Sequence, residues 1–378
     1  MILVSGSLAY DYIMNFPGYF RDHILPEKLH VLSVSFLVDK MQKNFGGTAG
    51  NISYNLALLG EKPTILASVG NDFAEYEQWL QSPRSARLQP RKGDAKASHY
   101  IEGVDLSYVR RVKDVPTASC HITTDNSDNQ ITAFHLGAMA QSVVKAELFS
   151  RQSSALRFRQ AKVAIVAPGN LEDMRALPKL YKKLGVPYIY DPGQNITALS
   201  GADLRAGIAG AKVFISNDYE LALVLKKTGW KKQDVLERVE VLVTTLGEKG
   251  SVIEIGLSCH NSPQPPLTLR GGVAKNPLLF SQGESAFGGK IRGGAGGVMK
   301  FVIPPARAKN VCDPTGAGDA YRAGFIKGLL MGLPYDKVGK LAGLVSVYTV
   351  EQYGTQTHRF SWQGLLKRYK ENYGETLL

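Results

Sequence analysis

Six short apolar runs constrain this chain more than any other feature. They are ILVSGS at 2–7, TILASVG at 64–70, KVAIVAP at 162–168, PYIYDPG at 187–193, KVFISN at 212–217 and VEVLVTTLG at 239–247, with helix-like stretches between them. Runs this short, without polar alternation, fit strands buried on both faces, and their interleaving with helices predicts a parallel sheet covered on both sides. Several end in Gly, Asn, Asp or Thr. Ligands of open parallel sheets gather at the carboxyl ends of the strands, so these terminal residues are candidates for a site. Two other stretches, HVLSVSFLVD (30–39) and TASCHITTDNSDNQITAFHLG (117–137), are β-branched and partly alternating, which predicts an antiparallel hairpin layer, a small lid, within segments near 8–45 and 117–137. The tail reads as a helix, a loop and a polar closing helix.

The chain has 378 residues, 44% of them hydrophobic, enough for one large α/β domain over 1–378. No apolar run of about 18 residues occurs and the N-terminus lacks a secretory pattern, so a cytoplasmic protein with no membrane partner is expected. Cys120, Cys259 and Cys312 are widely spaced and suggest neither disulfides nor a zinc site; Cys312 reads as a small buried residue. The formal charge of +12 is concentrated. Segments 82–100 and 257–300 each carry five Lys/Arg against one acid, hold eight of the twelve excess charges, and are rich in Gly, Pro, Ser and Ala. They read as inserted surface segments. Lacking interleaved aromatics, they make nucleic acid an unexpected partner, although a nucleic-acid-binding or regulatory protein with a vestigial site is the reading they would favour.

Five local patterns carry chemistry. VCDPTGAGDAY (311–321) sets Gly316, Ala317 and Gly318 directly before Asp319 and a helical stretch. Exposed N–H groups at a helix start suit a phosphate, while an Asp there is equally suited to capping. In NFGGTAGN (44–51), Gly46 and Gly47 allow close backbone approach and Asn51 offers an amide to a hydroxyl, or the stretch is a Gly-rich turn with an Asn cap. Asp11, just past the first strand, can accept two hydroxyl hydrogen bonds or serve a turn. Asn217 and Glu220, three apart at a helix start, can hold Mg2+ through water or form a capping box. In TLGEKG, Thr245, Gly247 and Gly250 can line a nucleotide or make a tight hairpin. No P-loop pattern occurs.

GGTAGN near the N-terminus and DPTGAGDAYRAGF near the C-terminus resemble the two signatures of the PfkB, or ribokinase-like, family of carbohydrate and nucleoside kinases, with NDYE and TLGEKG between them in the family's order. The resemblance covers nearly the whole chain except the two basic segments. It implies a ribokinase-like central mainly parallel sheet with helices on both faces and a small β lid, and ATP-dependent phosphorylation of a hydroxyl. It further implies Asp319 as catalytic base, Gly316, Ala317 and Gly318 as an anion hole, and Asp11, Gly46, Gly47 and Asn51 as acceptor ligands. Asn217 and Glu220 would organise Mg2+ indirectly, and Thr245, Gly247, Gly250 and Asp313 would serve ATP. The family leaves room for a monovalent cation such as K+ and for a homodimer. SFLVDKMQKNFGGTAGN, TDNSDNQITAF and EQYGTQTHRF look most like bacterial adenosine kinase-like members. The expected acceptor is therefore a nucleoside, adenosine first, with a sugar kinase of ribokinase or fructokinase type as the alternative. Phe36 and Phe134, in expected lid strands, are candidates to stack on a purine or to form lid core. A helix start is expected to keep Asp319 ionised and a weak base.

Overall fold

A computed structural model describes residues 1–31, 33–81, 103–127, 129–144, 157–256 and 298–378. The basic segment 82–100 and positions 257–297 of the second one, Cys259 included, lie outside the described residues. The strands are β1 (Ile2–Ser5), β2 (Ala9–Asn15), β3 (Lys40–Gly46), β4 (Pro63–Val69), β5 (Asp105–Arg111), β6 (Ala118–Thr124), β7 (Gln130–His135), β8 (Val163–Val166), β9 (Tyr188–Tyr190), β10 (Val213–Asn217), β11 (Val241–Thr245), β12 (Ser251–Gly256) and β13 (Val298–Ile303). The α-helices are α1 (Thr48–Leu58), α2 (Ala74–Gln81), α3 (Leu171–Leu184), α4 (Gly201–Ile208), α5 (Asp218–Thr228), α6 (Lys232–Leu236), α7 (Ala317–Leu330), α8 (Tyr335–Val350) and α9 (Trp362–Tyr373).

Nine strands form one sheet in the order β13-β12-β11-β10-β9-β8-β1-β4-β5. All neighbours are parallel from β11 through β5, and β12 and β13 close one edge antiparallel. The unalternating runs are explained by burial on both faces. Ile2 and Val4 of β1, Val163 and Ile165 of β8, and Val213 and Ile215 of β10 join the core under α1, α7, α8 and α9. Leu3, Ala164, Val166 and Phe214, one residue out of step, join the core under α3, α4, α5 and α6. The chain passes from β1 to β4 on one side and later to β8 on the other, so order reverses at β1, where a parallel sheet opens a crevice at its carboxyl edge.

A second, four-stranded sheet in the order β3-β2-β6-β7 forms the lid. β6 and β7 are the hairpin expected within 117–137. The lid is not wholly antiparallel, because β2 and β6 pair parallel. Nor is 30–39 a strand: Pro26–Val31 is 3-10 helix, and residues 33–38 have no regular structure. Phe36 packs there on Phe16, Phe20 and His23, at ring separations of 5.0, 4.9 and 6.0 Å, so Phe36 belongs to an aromatic cluster rather than to a strand ladder. The lid strands are instead Ala9–Asn15 and Lys40–Gly46. β5 carries no unbroken apolar run because it is the sheet's edge. Val298–Lys300, counted with the second basic segment in the sequence, belong to β13 and pair with β12. Among the described residues no helix is long and apolar enough to cross a membrane.

Candidate active site

The crevice is built where the lid meets the carboxyl edge of the main sheet. Gly46 ends β3, Gly47 turns with φ 83°, and α1 begins at once, which brings Asn51 into the first turns of a buried helix. On the other side Gly316, at φ 79°, starts α7. These two helix starts, far apart in sequence, face each other: Asn51 Nδ2 donates to Asp319 Oδ2 at 2.9 Å. Asp11 on β2 lies against the Gly46 backbone so closely that a Cβ added at Gly46 would come to 2.0 Å from Asp11 Oδ2. Glycine there is what lets the carboxylate sit at the backbone. Asp11, Gly46, Gly47, Asn51 and Asp319 thus form one cluster.

The turn before α7 differs in one detail from the anion hole expected of it. The N–H of Ala317 donates to Pro314 O at 3.1 Å. Those of Gly316, Gly318 and Asp319 carry no hydrogen bond among the described residues, and remain as the donors a phosphate could meet. Asp313 lies behind this turn, accepting from the N–H of Thr315 at 2.9 Å and of Gly354 at 3.1 Å, and so ties the turn to the loop after α8.

Asn217 ends β10 and pairs in register with Thr245 at the end of β11. Asn217 and Glu220 form a reciprocal capping box: Glu220 N–H donates to Asn217 Oδ1 at 2.7 Å and Asn217 N–H to Glu220 Oε2 at 2.8 Å. The box engages one of the two Glu220 oxygens and leaves the other outside the cap. Gly247 and Gly250 make the tight β11–β12 turn, closed by Leu246 N–H on Gly250 O at 2.8 Å. Gly250 has φ 88°, and a Cβ there would strike Ile303 O at 2.2 Å, so the hairpin demands this glycine. Lid register sets Asn44, Asp11, Cys120 and Phe134 side by side across four strands. Residues paired across a sheet share a face, so the half-exposed Phe134 lies on the side of Asp11. Cys312 is half-buried rather than buried, and its Sγ accepts from Asn310 Nδ2.

Removal from water dominates the electrostatics. Burial, then the nearby carboxylates of Asp319 and Asp313, pushes Asp11 up to about 7. Burial likewise pushes Asp319 up to about 6, with Asp191 adding to it, and Arg322 and the Asn51 hydrogen bond only partly offset these. The helix start therefore does not keep Asp319 in the usual carboxylate range, and it is a stronger base than its position in the sequence suggests. Burial raises Glu220 as well.

Sequence reasoning named neither Asp191 nor Arg322. Asp191 follows β9 and is 1% exposed; Arg322, one helical turn beyond Asp319, is 7% exposed. Arg322 pairs with both oxygens of Asp191, with Nη2 donating to Oδ1 at 2.9 Å and Nε to Oδ2. Arg322 also faces Asp319 and Glu220 electrostatically. An Asp closing a buried strand and an Arg three residues past a candidate base were the available signals.

The model of the pfkB family of carbohydrate kinases matches residues 96–268 and 280–361. The chain belongs to that family. Its relatives include a nucleoside kinase of Methanothermobacter thermautotrophicus, 25% identical over 99% of this chain and 96% of the relative, and one of Methanocaldococcus jannaschii, 25% identical over 98% and 97%. Among solved structures, a Burkholderia thailandensis nucleoside kinase in complex with inosine superposes with a TM-score of 0.72 at 31% identity, covering 100% of this chain and 99% of that one. The M. jannaschii nucleoside kinase structure, at TM-score 0.68 and 24% identity over 98% of both chains, shares the ribokinase-like fold. Family membership thus agrees with the α/β architecture and with the order of the glycine-rich motifs along the chain.

Proposed function

We propose that this chain is an ATP-dependent nucleoside kinase that phosphorylates a 5'-hydroxyl, with a purine nucleoside, adenosine first, as acceptor. The observation that carries the reading is the meeting of Asp11, Asn51 and Asp319 in one desolvated crevice, with free N–H groups of α7 beside them. Asp11 accepts hydrogen bonds from neighbouring sugar hydroxyls while Gly46 and Gly47 let the acceptor approach the backbone. Asn51 steadies Asp319. The donors at Gly316, Gly318 and Asp319 receive the charge that spreads over the γ-phosphate oxygens, and they need no reorganisation to do so. Asp319 takes the acceptor's proton as the acceptor oxygen bonds the γ-phosphorus and the bond from that phosphorus to the bridging oxygen breaks, so that ADP leaves. Thr245, Gly247 and Gly250 line the ATP side, and Asp313 braces the turn that presents the donors. The purine preference is supported by the inosine bound to the Burkholderia relative and by Phe134 on the acceptor side of the lid.

The donor set near ATP fits Mg2+ held through water. Glu220 has a carboxylate oxygen outside its cap, Asp191 is engaged by Arg322, and no group of three metal-ligating side chains exists among the described residues. Such a set suits an ion that keeps its water shell and leans on phosphates. When bound, the ion neutralises phosphate charge.

A panel of adenosine, inosine, guanosine, ribose and fructose with ATP and Mg2+ tests the reading. Adenosine is expected to show a far higher specificity constant than either sugar; ribose or fructose matching it in competition would make the chain a sugar kinase. Asp11→Ala is expected to raise the acceptor KM roughly 10- to 100-fold, the loss of hydrogen bonds to a charged group, with ATP affinity nearly unchanged. An equal loss of ATP affinity would reject Asp11 as an acceptor ligand.

A further inference from the structure

Behind the Asn51–Asp319 contact lies a chain of hydrogen bonds that none of the motifs accounts for. Gln356, 2% exposed in the loop after α8, donates from Nε2 to Asn51 Oδ1 at 3.0 Å and to Tyr76 OH at 2.6 Å. Its Oε1 accepts from Trp79 Nε1 at 3.1 Å. Tyr76 OH donates in turn to Gly46 O at 2.7 Å, beside Asp11. A side-chain amide can be turned either way, and turning Asn51 would point an oxygen instead of an N–H at Asp319. Both ends of this chain forbid that. The Trp79 indole N–H can only donate, so Gln356 must present its oxygen there. The Gly46 carbonyl can only accept, so the Tyr76 proton is committed to it and the hydroxyl must accept from Gln356. With both Gln356 N–H groups used, Asn51 must present Oδ1 to Gln356 and Nδ2 to Asp319.

The geometry points to Gln356 and Trp79 as positioning residues that fix the orientation of Asn51 and thereby supply the hydrogen bond that steadies Asp319 for phosphoryl transfer. The same chain gives Gly50 of GGTAGN a role, because a Cβ there would come to 1.9 Å from Tyr76 OH and 3.1 Å from Gln356 Nε2. The inference rests on Asp319 being the base. The charged groups acting on Asp319 are Arg322 on its own helix, Asp191 after β9 and Asp11 across the crevice, and none of them belongs to the chain through Gln356.

Gln356→Met and Trp79→Phe each break the polarity of the chain while keeping much of the bulk. Steady-state phosphorylation of adenosine across pH 5–9 is expected to show the acidic limb of kcat moved upward by about one pH unit in both variants, as loss of a hydrogen bond to the charged form requires. KM for ATP should stay near wild type. A merely structural role would lower the active fraction and leave the limb in place. Melting curves identify a variant that does not fold; should Gln356→Met be one, Trp79→Phe, altered at a half-buried ring, decides alone. A limb unmoved in the folded variants overturns the inference while the kinase reading stands, whereas a wild type with no acidic limb overturns the assignment of Asp319 as base and this inference with it.

Discussion

Asp319→Asn is expected to slow turnover at least about 100-fold, while ATP and acceptor affinity stay close to wild type. The change keeps size and shape, leaves the N–H groups of Gly316, Gly318 and residue 319 in place, and retains an oxygen for Asn51 Nδ2. It removes proton acceptance alone. Melting is expected to be unchanged or slightly higher at neutral pH, and the sign follows from the raised pKa. The folded protein holds the Asp319 proton more tightly than an unfolded chain does, so stability is lost as pH rises from the ordinary carboxylate range through about 6, and above that the desolvated charge is a fixed penalty that Asn lacks. Wild-type kcat should fall tenfold per pH unit on the acidic side of the Asp319 titration, and the residual rate of the variant should be flat there. If Asp319 were a helix cap only, Asn, an equally good cap, would leave the rate intact, so near-normal turnover would refute the assignment.

Arg322→Met is expected to destabilise the protein by about 3–5 kcal/mol, because it leaves the Asp191 carboxylate buried and unpaired. The midpoint of thermal unfolding should fall by about 4–6 °C for a chain of 378 residues. Replacing both partners, Arg322→Met with Asp191→Leu, removes both charges and should restore part of the loss. Calorimetry of the two variants beside wild type checks this, and a single variant that melts with wild type would show that the pair contributes nothing. Arg322 also lowers Asp319, so any folded Arg322→Met protein should show its acidic limb above the wild-type position.

The lid shows where local pattern misleads. HVLSVSFLVD has strand-like composition, yet Phe36 finds Phe16, Phe20 and His23, and the packing of four rings outweighs a propensity that is worth little on its own. The parallel pairing of β2 with β6 was equally invisible, since a chain of alternating residues does not record which neighbour it meets.

What the sequence by itself determined is everything encoded by short-range periodicity and steric demand. Unalternating runs required strands buried on both faces. Gly46, Gly47, Gly250 and Gly316 stand where a side chain would collide or the backbone turns left-handed, and the motifs around them marked the site. Only the tertiary structure decided which groups meet. Asn51 reaches Asp319 and Gln356 across 268 and 305 residues, and Asp191 reaches Arg322 across 131. The state of Asp319 was decided in the same way. A helix start alone favours an ionised carboxylate, but packing withdraws this one from water and sets Asp191 near it, and desolvation outweighs the local field. Burial depends on the whole fold, and no stretch of sequence records it.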